Sequence, residues 1–236
     1  MNKNLSAVIA EFFGTFTLVF VGTAVATLQG GWLSGYGDTG WLGISFAFGG
    51  TLMVLVLVVG PVSGCHLNPA VTLPMVLSGR LPARLASGYV LAQLLGATVA
   101  SLALLGLLSG LEGYNATEHG LGANGNPRGM ALAALFGWEL VLTALFVFTI
   151  FSATRVESPA GFAALAIGGF LFVAHLVGAQ LGDSSLNPAR SFGPALVEWV
   201  MGRPDALRLL WIFVLAPLLG GVLGWQLYAL LYDSRS

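Results

Sequence analysis

Two asparagines that each precede proline and alanine are the residues best placed to do chemistry in this sequence. Asn68-Pro69-Ala70 begins the short apolar segment 69–79, and Asn187-Pro188-Ala189 begins the segment 188–201. Asparagine is a favoured helix N-cap, and proline suits the first helical position because its missing N–H would have no partner there. Both segments are therefore predicted to be half-length helices. Their starts carry unpaired N–H groups and about half a positive charge, which can bind the oxygen of a small polar molecule.

Ionisable side chains also lie inside long apolar runs, where they are expensive and point to function. Arg190 follows the second Asn-Pro-Ala directly and predicts a fixed positive charge beside that helix start. Glu11 and Glu139 lie at matching places in two apolar stretches. We interpret both as buried acceptors that hold the loops before the half-helices, rather than as members of a proton relay. His175 lies in a further apolar run and is either a core histidine or a pore residue.

The composition is that of an integral membrane protein. Of the 236 residues, 56% are hydrophobic and 8% are charged, against about 45–50% and about 25% in soluble domains. A net charge of −1 gives no basic excess for nucleic acid. With one cysteine, Cys65, no phosphate-binding loop and no paired His motif, we expect no metal site, no cofactor and no enzyme. The whole chain, 1–236, is predicted to be a single transmembrane domain.

Six stretches reach the length of about 20 apolar residues that a bilayer-crossing helix needs. They are residues 5–28, 41–61, 84–109, 130–151, 160–181 and 206–232. An even number of spans puts both termini on one side, and Lys and Arg favour the cytoplasmic side. That side would carry Lys3, Arg80, Arg84, Arg155 and Arg235, and the opposite side Arg128, Arg203 and Arg208. We therefore predict a multi-pass protein with cytoplasmic termini and an external loop at 110–129.

An internal repeat relates the two halves. Residues 89–96 align with 213–220, and 67–70 align with 186–189. Each repeat, about 5–109 and about 130–232, then holds three spans and one half-helix. Because three is odd, the second repeat is inverted in the membrane, and the half-helices should meet near the midplane. The predicted fold class is an all-α membrane protein of six transmembrane helices and two re-entrant half-helices.

At these residues the sequence resembles the aquaporins, the major intrinsic protein family, in their water-selective bacterial or archaeal form. The matching stretches are SGCHLNPAVT at 63–72 and SLNPARSFGP at 185–194, and segments 10–15 and 158–163 fit as well. The resemblance covers nearly the whole chain. It implies a six-helix bundle with re-entrant half-helices, assembled as a homotetramer with one pore per subunit, in the plasma or inner membrane.

The resemblance also places a selectivity filter at Phe48, His175, Ser184 and Arg190. Phe48 and His175 are bulky and would narrow the passage to about one water, while His175 and Arg190 would donate hydrogen bonds and Arg190 would oppose cations. The glycerol-conducting branch typically has Gly at the histidine position and Asp after the arginine. This chain has His175 and Ser191 instead. Ser184 and Val214 differ from the residues usual in the water-selective branch.

The rest of the expected pore has one polar and one apolar wall. Backbone carbonyls would come from Gly64, Cys65, His66, Asp183 and Ser185, and apolar side chains from Leu52, Val56 and Leu171. His66 would either brace the first half-helix or lie at the inner mouth. The function expected from the resemblance is passive, single-file water conduction that excludes protons and ions. The alternatives are a channel for glycerol, ammonia or urea and, more remotely, an ion-coupled secondary transporter.

Overall fold

The regular structure is helical wherever the computed structural model describes the chain, which is at residues 2–29, 40–159, 161–182 and 184–232. Numbered along the chain, the helices are α1 (Lys3–Leu28), α2 (Gly40–Val58), α3 (Gly60–Ser63), α4 (Pro69–Leu77), α5 (Ala83–Leu108), α6 (Ala116–His119), α7 (Leu132–Ala153), α8 (Phe162–Gly182), α9 (Pro188–Val200) and α10 (Asp205–Tyr232). Helices α3 and α6 are single turns in connections.

Long apolar helices make up most of the molecule. Among the described residues, α1, α2, α5, α7 and α10 are long and apolar enough to cross a membrane. Helix α8 has 21 residues, which is also the length that a span needs. Many large apolar side chains on these helices are exposed, including Leu57, Leu107 and Leu230. Such an apolar outer surface suits lipid rather than water.

The predicted ends of the second span need a correction. The prediction ran to residue 61, whereas α2 ends at Val58 and the single-turn α3 begins at Gly60. Pro61 explains the break, because proline has no N–H to continue the α2 hydrogen bonds and suits the first turn of a new helix. The chain thereby changes direction before it enters the loop that leads to the first half-helix.

Helices pair in a pattern that is the same in the two halves of the chain. Helix α1 packs along α5, and α7 packs along α10. Close approaches occur at Gly96 and Gly220, where an added Cβ would lie 2.5 Å from the Phe12 carbonyl oxygen and 2.4 Å from the Leu140 carbonyl oxygen. Only glycine allows the backbones so close, as expected for small residues at membrane helix crossings.

The half-helices α4 and α9 are held by the last long helix of the opposite half. Helix α9 packs on α5, and α4 packs on α10. An added Cβ at Gly193 would lie 2.4 Å from the Ala97 carbonyl oxygen, and one at Gly221 would lie 2.1 Å from the Ala70 carbonyl oxygen. Because each half-helix packs on a long helix of the other half, the starts of the two half-helices come together in the interior.

Candidate functional site

The two half-helices meet through their capping asparagines. The Asn68 Oδ1 atom accepts a hydrogen bond from the Ala70 N–H at 2.8 Å, and Asn187 Oδ1 accepts from Ala189 N–H at 3.0 Å. The Asn68 side-chain amide then donates to the Leu186 carbonyl oxygen at 2.8 Å, and the Asn187 amide donates to the Leu67 carbonyl oxygen at 2.8 Å. Each asparagine therefore caps its own helix and bonds to the loop before the other helix.

The loops before these caps have an unusual backbone. Leu67 and Leu186, which directly precede the asparagines, have φ of 52° and 54°, and Cys65 has φ of 54°. A branched residue in this left-handed region costs about 1–2 kcal/mol. Such conformations persist only when surrounding contacts hold them. The local backbone is therefore set by partners outside the loops.

Glu11 of α1 is the partner of the first loop. Its Oε1 atom accepts from the Ser63 hydroxyl at 2.6 Å and from the His66 N–H at 2.9 Å. Its Oε2 atom accepts from the Leu67 N–H at 2.7 Å and from the Gln93 side-chain amide at 2.7 Å. The carboxylate is fully buried, so these four donors replace the water it has lost.

Glu139 of α7 does the same for the second loop. Its Oε1 atom accepts from the Ser185 N–H at 2.8 Å, and its Oε2 atom accepts from the Leu186 N–H at 3.0 Å. Both glutamates therefore lie where they can act as the acceptors inferred from the sequence. Gln93, which also donates to the Thr72 hydroxyl at 3.0 Å, was missed, although it is a polar residue in the middle of a predicted span.

Three of the four predicted filter residues come together on one side of the asparagines. The rings of Phe48 and His175 stack with centroids 4.6 Å apart and an angle of 18°. The Arg190 guanidinium carbon lies 4.9 Å from the Phe48 ring centroid. All three side chains are buried. The packed aromatic pair and the guanidinium form a rigid constriction.

The hydrogen bond of His175 sets the role of its ring. The His175 Nδ1 atom lies 3.0 Å from the Leu171 carbonyl oxygen, and because a carbonyl only accepts, Nδ1 carries the hydrogen. In a neutral ring the other nitrogen, Nε2, is then an acceptor. Within the described part of the chain Nε2 has no hydrogen-bond partner. The sequence led us to expect that His175 donates into the constriction. In a neutral ring, Nε2 instead offers an acceptor there.

Arg190 is held by the loop between α6 and α7. Its Nη1 atom donates to the Gly122 carbonyl oxygen at 2.9 Å and to the Asn124 Oδ1 atom at 2.7 Å. Asn124 is itself buried, and its side-chain amide donates to the Ser184 carbonyl oxygen at 3.2 Å. Sequence reasoning missed Asn124 because it lies 66 residues from Arg190 along the chain.

A narrow cavity of about 20 Å³ links the constriction to the asparagines. A cavity needs about 10–15 Å³ on this measure to hold one water, so the volume suffices for about one molecule. Its lining residues are Leu18, Phe48, Leu52, His66, Asn68, Phe146, Leu171, His175, Ser185, Asn187 and Arg190. Leu18 and Phe146 were not predicted. A signal for them exists, because each lies seven residues, about two helical turns, after a buried glutamate and so on the same helix face.

A wider cavity of about 500 Å³ continues on the other side of His66. Val56, Gly64 and Cys65 line it together with His66, which borders both cavities. Arg80 stands at its edge, with its guanidinium carbon 4.4 Å from the Phe151 ring centroid and its Nη2 atom 3.2 Å from the Tyr228 hydroxyl. The wide cavity has the form of a vestibule that leads to the narrow one.

One predicted filter residue is not brought into this lining. Ser184 is buried against Gly178 of α8, where an added Cβ would lie 2.6 Å from the Ser184 hydroxyl oxygen. Its backbone carbonyl faces Asn124. Asp183 lies outside the described residues.

The loop that holds Arg190 is anchored in turn by the end of α9. The Glu198 Oε1 atom accepts from the Leu121 N–H at 2.7 Å, and the Arg203 Nε atom lies 3.3 Å from Glu198 Oε2. The Tyr114 hydroxyl donates to the Gly120 carbonyl oxygen at 2.8 Å. Burial and the nearby Glu198 carboxylate raise the pKa of Tyr114, so the hydroxyl keeps its hydrogen for this bond. Glu198 was also missed by sequence reasoning.

Comparison with known proteins places this geometry in a family. The family model for the major intrinsic proteins matches residues 1–228. A protein named Aquaporin Z from Rhodopseudomonas palustris is 41% identical over 234 residues, which cover 97% of this chain and 94% of that protein. Aquaporin Z of Bradyrhizobium diazoefficiens is 42% identical over 231 residues, which cover 95% and 92%.

A solved structure shares the fold. The aquaglyceroporin from Plasmodium falciparum superposes with a TM-score of 0.83 at 22% sequence identity and covers 95% of both chains. At this identity the match speaks for the arrangement of helices and not for the permeant.

Proposed function

This chain belongs to the major intrinsic protein family, and from that premise we propose that it is a passive water channel. The observation that carries the proposal is the cavity of about 20 Å³ that passes the constriction and both asparagines. Relatives named Aquaporin Z at 41% and 42% identity support water as the permeant. Members of this family are channels, so the protein is a channel rather than an enzyme.

Selectivity begins at the constriction. The stacked Phe48 and His175 rings limit the width, and the buried Arg190 guanidinium supplies a positive charge and hydrogen-bond donors. A water molecule that enters the constriction loses most of its hydrogen bonds to other waters. It accepts hydrogen bonds from Arg190 and donates one to His175 Nε2. Pore width, lining hydrogen-bond groups and fixed positive charge are the features that set selectivity in such pores.

The asparagines act at the centre of the pore. A side-chain amide has two N–H donors, and one of each binds the opposite loop. The second N–H of each amide is left to bind the oxygen of a passing water. Both water hydrogens then point away from the centre, and this orientation interrupts a continuous chain of proton transfer. The positive ends of α4 and α9 repel hydronium and other cations at the same place.

The remaining pore walls follow the sequence-based assignment. We propose that carbonyls of Gly64, Cys65, His66, Asp183 and Ser185 form the polar wall and that Leu52, Val56 and Leu171 are apolar wall residues. Leu18 and Phe146 join the apolar wall, since they line the narrow cavity. Ser184 contributes to the filter indirectly, since its carbonyl accepts a hydrogen bond from Asn124, which in turn accepts one from Arg190. The domain is a single channel unit with inverted repeats at about 5–109 and 130–232.

We also propose the membrane orientation and assembly. Arg155 lies with its guanidinium carbon 4.5 Å from the Tyr232 ring centroid, so the end of α10 lies at the face that carries Arg80 and Arg155. The start of α1 is at that face as well, because an added Cβ at Gly88, near the start of α5, would lie 3.1 Å from Val8. Excess Lys and Arg make this face cytoplasmic. The family resemblance supports a homotetramer in the plasma or inner membrane.

Stopped-flow light scattering on vesicles that contain the purified protein tests the proposal. Water permeability should exceed that of empty vesicles severalfold, while glycerol permeability stays at the level of empty vesicles. Fast glycerol entry would overturn water selectivity and favour a channel for small neutral solutes. Solute flux that depends on an ion gradient would instead indicate a secondary transporter.

A further inference from the structure

The segment 120–124 has two faces with different partners. The N–H groups of Leu121 and Ala123 point to one side and donate to Glu198 Oε1 at 2.7 and 3.3 Å. The Gly122 carbonyl and the Asn124 side chain point to the other side and accept from Arg190. Gly120 and Gly122 both have φ of 67°, so the backbone bends at these residues and presents successive groups to different sides. Segment 120–124 therefore links Glu198 to Arg190 through hydrogen bonds on its two sides.

Glu198 is itself fixed in place. It is 5% exposed and lies in the last turn of α9, the same half-helix that carries Arg190 near its start. Arg203 pairs with the Glu198 Oε2 atom at 3.3 Å and donates to the carbonyl oxygens of Thr117 and, at 3.0 Å, Glu118. The Glu198 carboxylate therefore binds both segment 120–124 and the residues that follow α9.

The fit at this anchor is tight. Gly120 has φ of 67°, and an added Cβ there would lie 2.8 Å from Glu198 Oε1. The left-handed backbone and the close carboxylate both require glycine at this position. This close contact therefore fixes the distance between the loop and the Glu198 carboxylate.

We propose that Glu198 is a positioning residue for the selectivity of the channel. It acts through segment 120–124 to hold the Arg190 guanidinium against the Phe48 ring. The inference rests on the proposed function, because it takes Arg190 to be the charged member of the filter. Glu198 does not touch the permeant. Loss of its two acceptor bonds lets segment 120–124 move, and Arg190 then loses the carbonyl and amide oxygens that aim it.

The test compares glycerol and water permeability of vesicles that contain the wild type, Glu198→Leu or Arg190→Val. Glu198→Leu should raise the ratio of glycerol to water permeability by roughly tenfold, equivalent to about 1.4 kcal/mol. The decisive measurement is the double variant. If Glu198 acts through Arg190, Glu198→Leu should add little to the ratio in the Arg190→Val background, whereas independent effects would add.

A matched control removes another acid on the same face of the molecule. Asp205 forms an exposed ion pair with Arg208 at 3.2 Å, and Asp205→Leu should leave the ratio unchanged. If Glu198→Leu cannot be purified, Glu198→Asp decides the question, because it withdraws the carboxylate by one methylene and should raise the ratio by a smaller amount.

The outcomes separate this inference from the proposed function. Wild-type vesicles that conduct no more water than empty ones would overturn the proposed function. Wild-type vesicles that conduct water and exclude glycerol, with Glu198 variants that melt at lower temperature but keep the wild-type ratio, would overturn the positioning role alone. Additive effects of Glu198→Leu and Arg190→Val would overturn it as well.

Discussion

Arg190 and His175 line the narrow cavity, so their removal is the most direct test of the proposed filter. In Arg190→Val combined with His175→Ala, the positive charge and one wall of the constriction are both lost. Glycerol permeability should rise by at least about tenfold, which corresponds to a barrier lowered by about 1.4 kcal/mol. Proton leak should rise with it. Both are measured in vesicles, glycerol by light scattering and protons by a pH-sensitive dye.

His119 offers a control for the histidine half of that variant. It lies in the connection between α5 and α7, beside the Tyr114 ring, and His119→Ala should leave both fluxes as in the wild type. A double filter variant that still excluded glycerol and protons would remove His175 and Arg190 from the selectivity mechanism.

Phe48 is held in place from behind by Gly22 of α1. An added Cβ at Gly22 would lie 2.2–2.5 Å from three atoms of the Phe48 ring. Overpacking of this kind costs about 1–3 kcal/mol, and the ring can relieve it by shifting into the constriction. We expect Gly22→Ala to lower water permeability severalfold. Gly106→Ala is the matched control, since an added Cβ there meets nothing within 4 Å.

A second change checks the direction of that shift. If the ring blocks the passage, Gly22→Ala combined with Phe48→Leu should regain water permeability, because the shorter side chain leaves room. Water permeability that stays low in the double variant would mean that the added methyl acts on helix packing and not on the filter.

Single residues were predictable where a local pattern marked them. His175 and Arg190 stand out because polar groups in apolar runs are rare. Asn124 and Glu198 were missed because nothing in their neighbourhood marks them. Their partners lie 66 and 77 residues away, and only the folded chain brings these groups together. Leu18 and Phe146 fall between these cases, since their spacing from Glu11 and Glu139 is visible only once the glutamates are known to face inward.

At the scale of an element, the loop before α4 depends on the Glu11 carboxylate. Glu11→Leu leaves the buried N–H groups of His66 and Leu67 without acceptors, and each unsatisfied donor costs about 1–3 kcal/mol. We expect the free energy of unfolding in micelles to fall by about 2–6 kcal/mol. Glu11→Gln should lower the free energy of unfolding by less, because the side-chain carbonyl oxygen of glutamine still accepts hydrogen bonds.

The comparison for this prediction is an acid without such a role. Glu112 is exposed in the connection between α5 and α7, and Glu112→Gln should leave the unfolding free energy unchanged. Equal stability of Glu11→Leu and the wild type would show that the left-handed backbone of Leu67 is held by other contacts.

The half-helices themselves were predictable because their starts are chemically defined. Asn-Pro fixes where a helix begins, and α4 and α9 start at Pro69 and Pro188 as the sequence predicted. Their ends, Leu77 and Val200, differ from the predicted residues 79 and 201, and the signal for them is Gly79 and Gly202, which follow the C-caps Ser78 and Met201 with φ of 74° and 87°. The left-handed φ of Cys65, Leu67 and Leu186 could not be predicted, since these residue types disfavour it and distant glutamates stabilise it.

Across the whole molecule, the inverted arrangement puts two helix starts at one point. A single half-helix would give about half a positive charge, and the meeting of α4 and α9 gives two such ends beside Asn68 and Asn187. Irregular backbone at this depth is tolerated because it is buried in protein or lines a wet cavity. The barrier to cations is thus a property of both halves together, and the family fold supplies it before any single side chain is considered.

A charge change at that meeting point tests the field directly. Asn187→Asp keeps an oxygen to cap α9 but removes the amide that donates to the Leu67 carbonyl, and it adds a negative charge opposite the two helix starts. Proton flux driven by a pH gradient, with valinomycin and potassium to hold the voltage, should rise by at least about tenfold, or 1.4 kcal/mol. Asn115→Asp makes the same change at the cap of α6, in the connection between α5 and α7, and should leave proton flux unchanged. If Asn187→Asp conducts water but no more protons than the wild type, the midplane charge is not what excludes them, and the barrier must lie at Arg190.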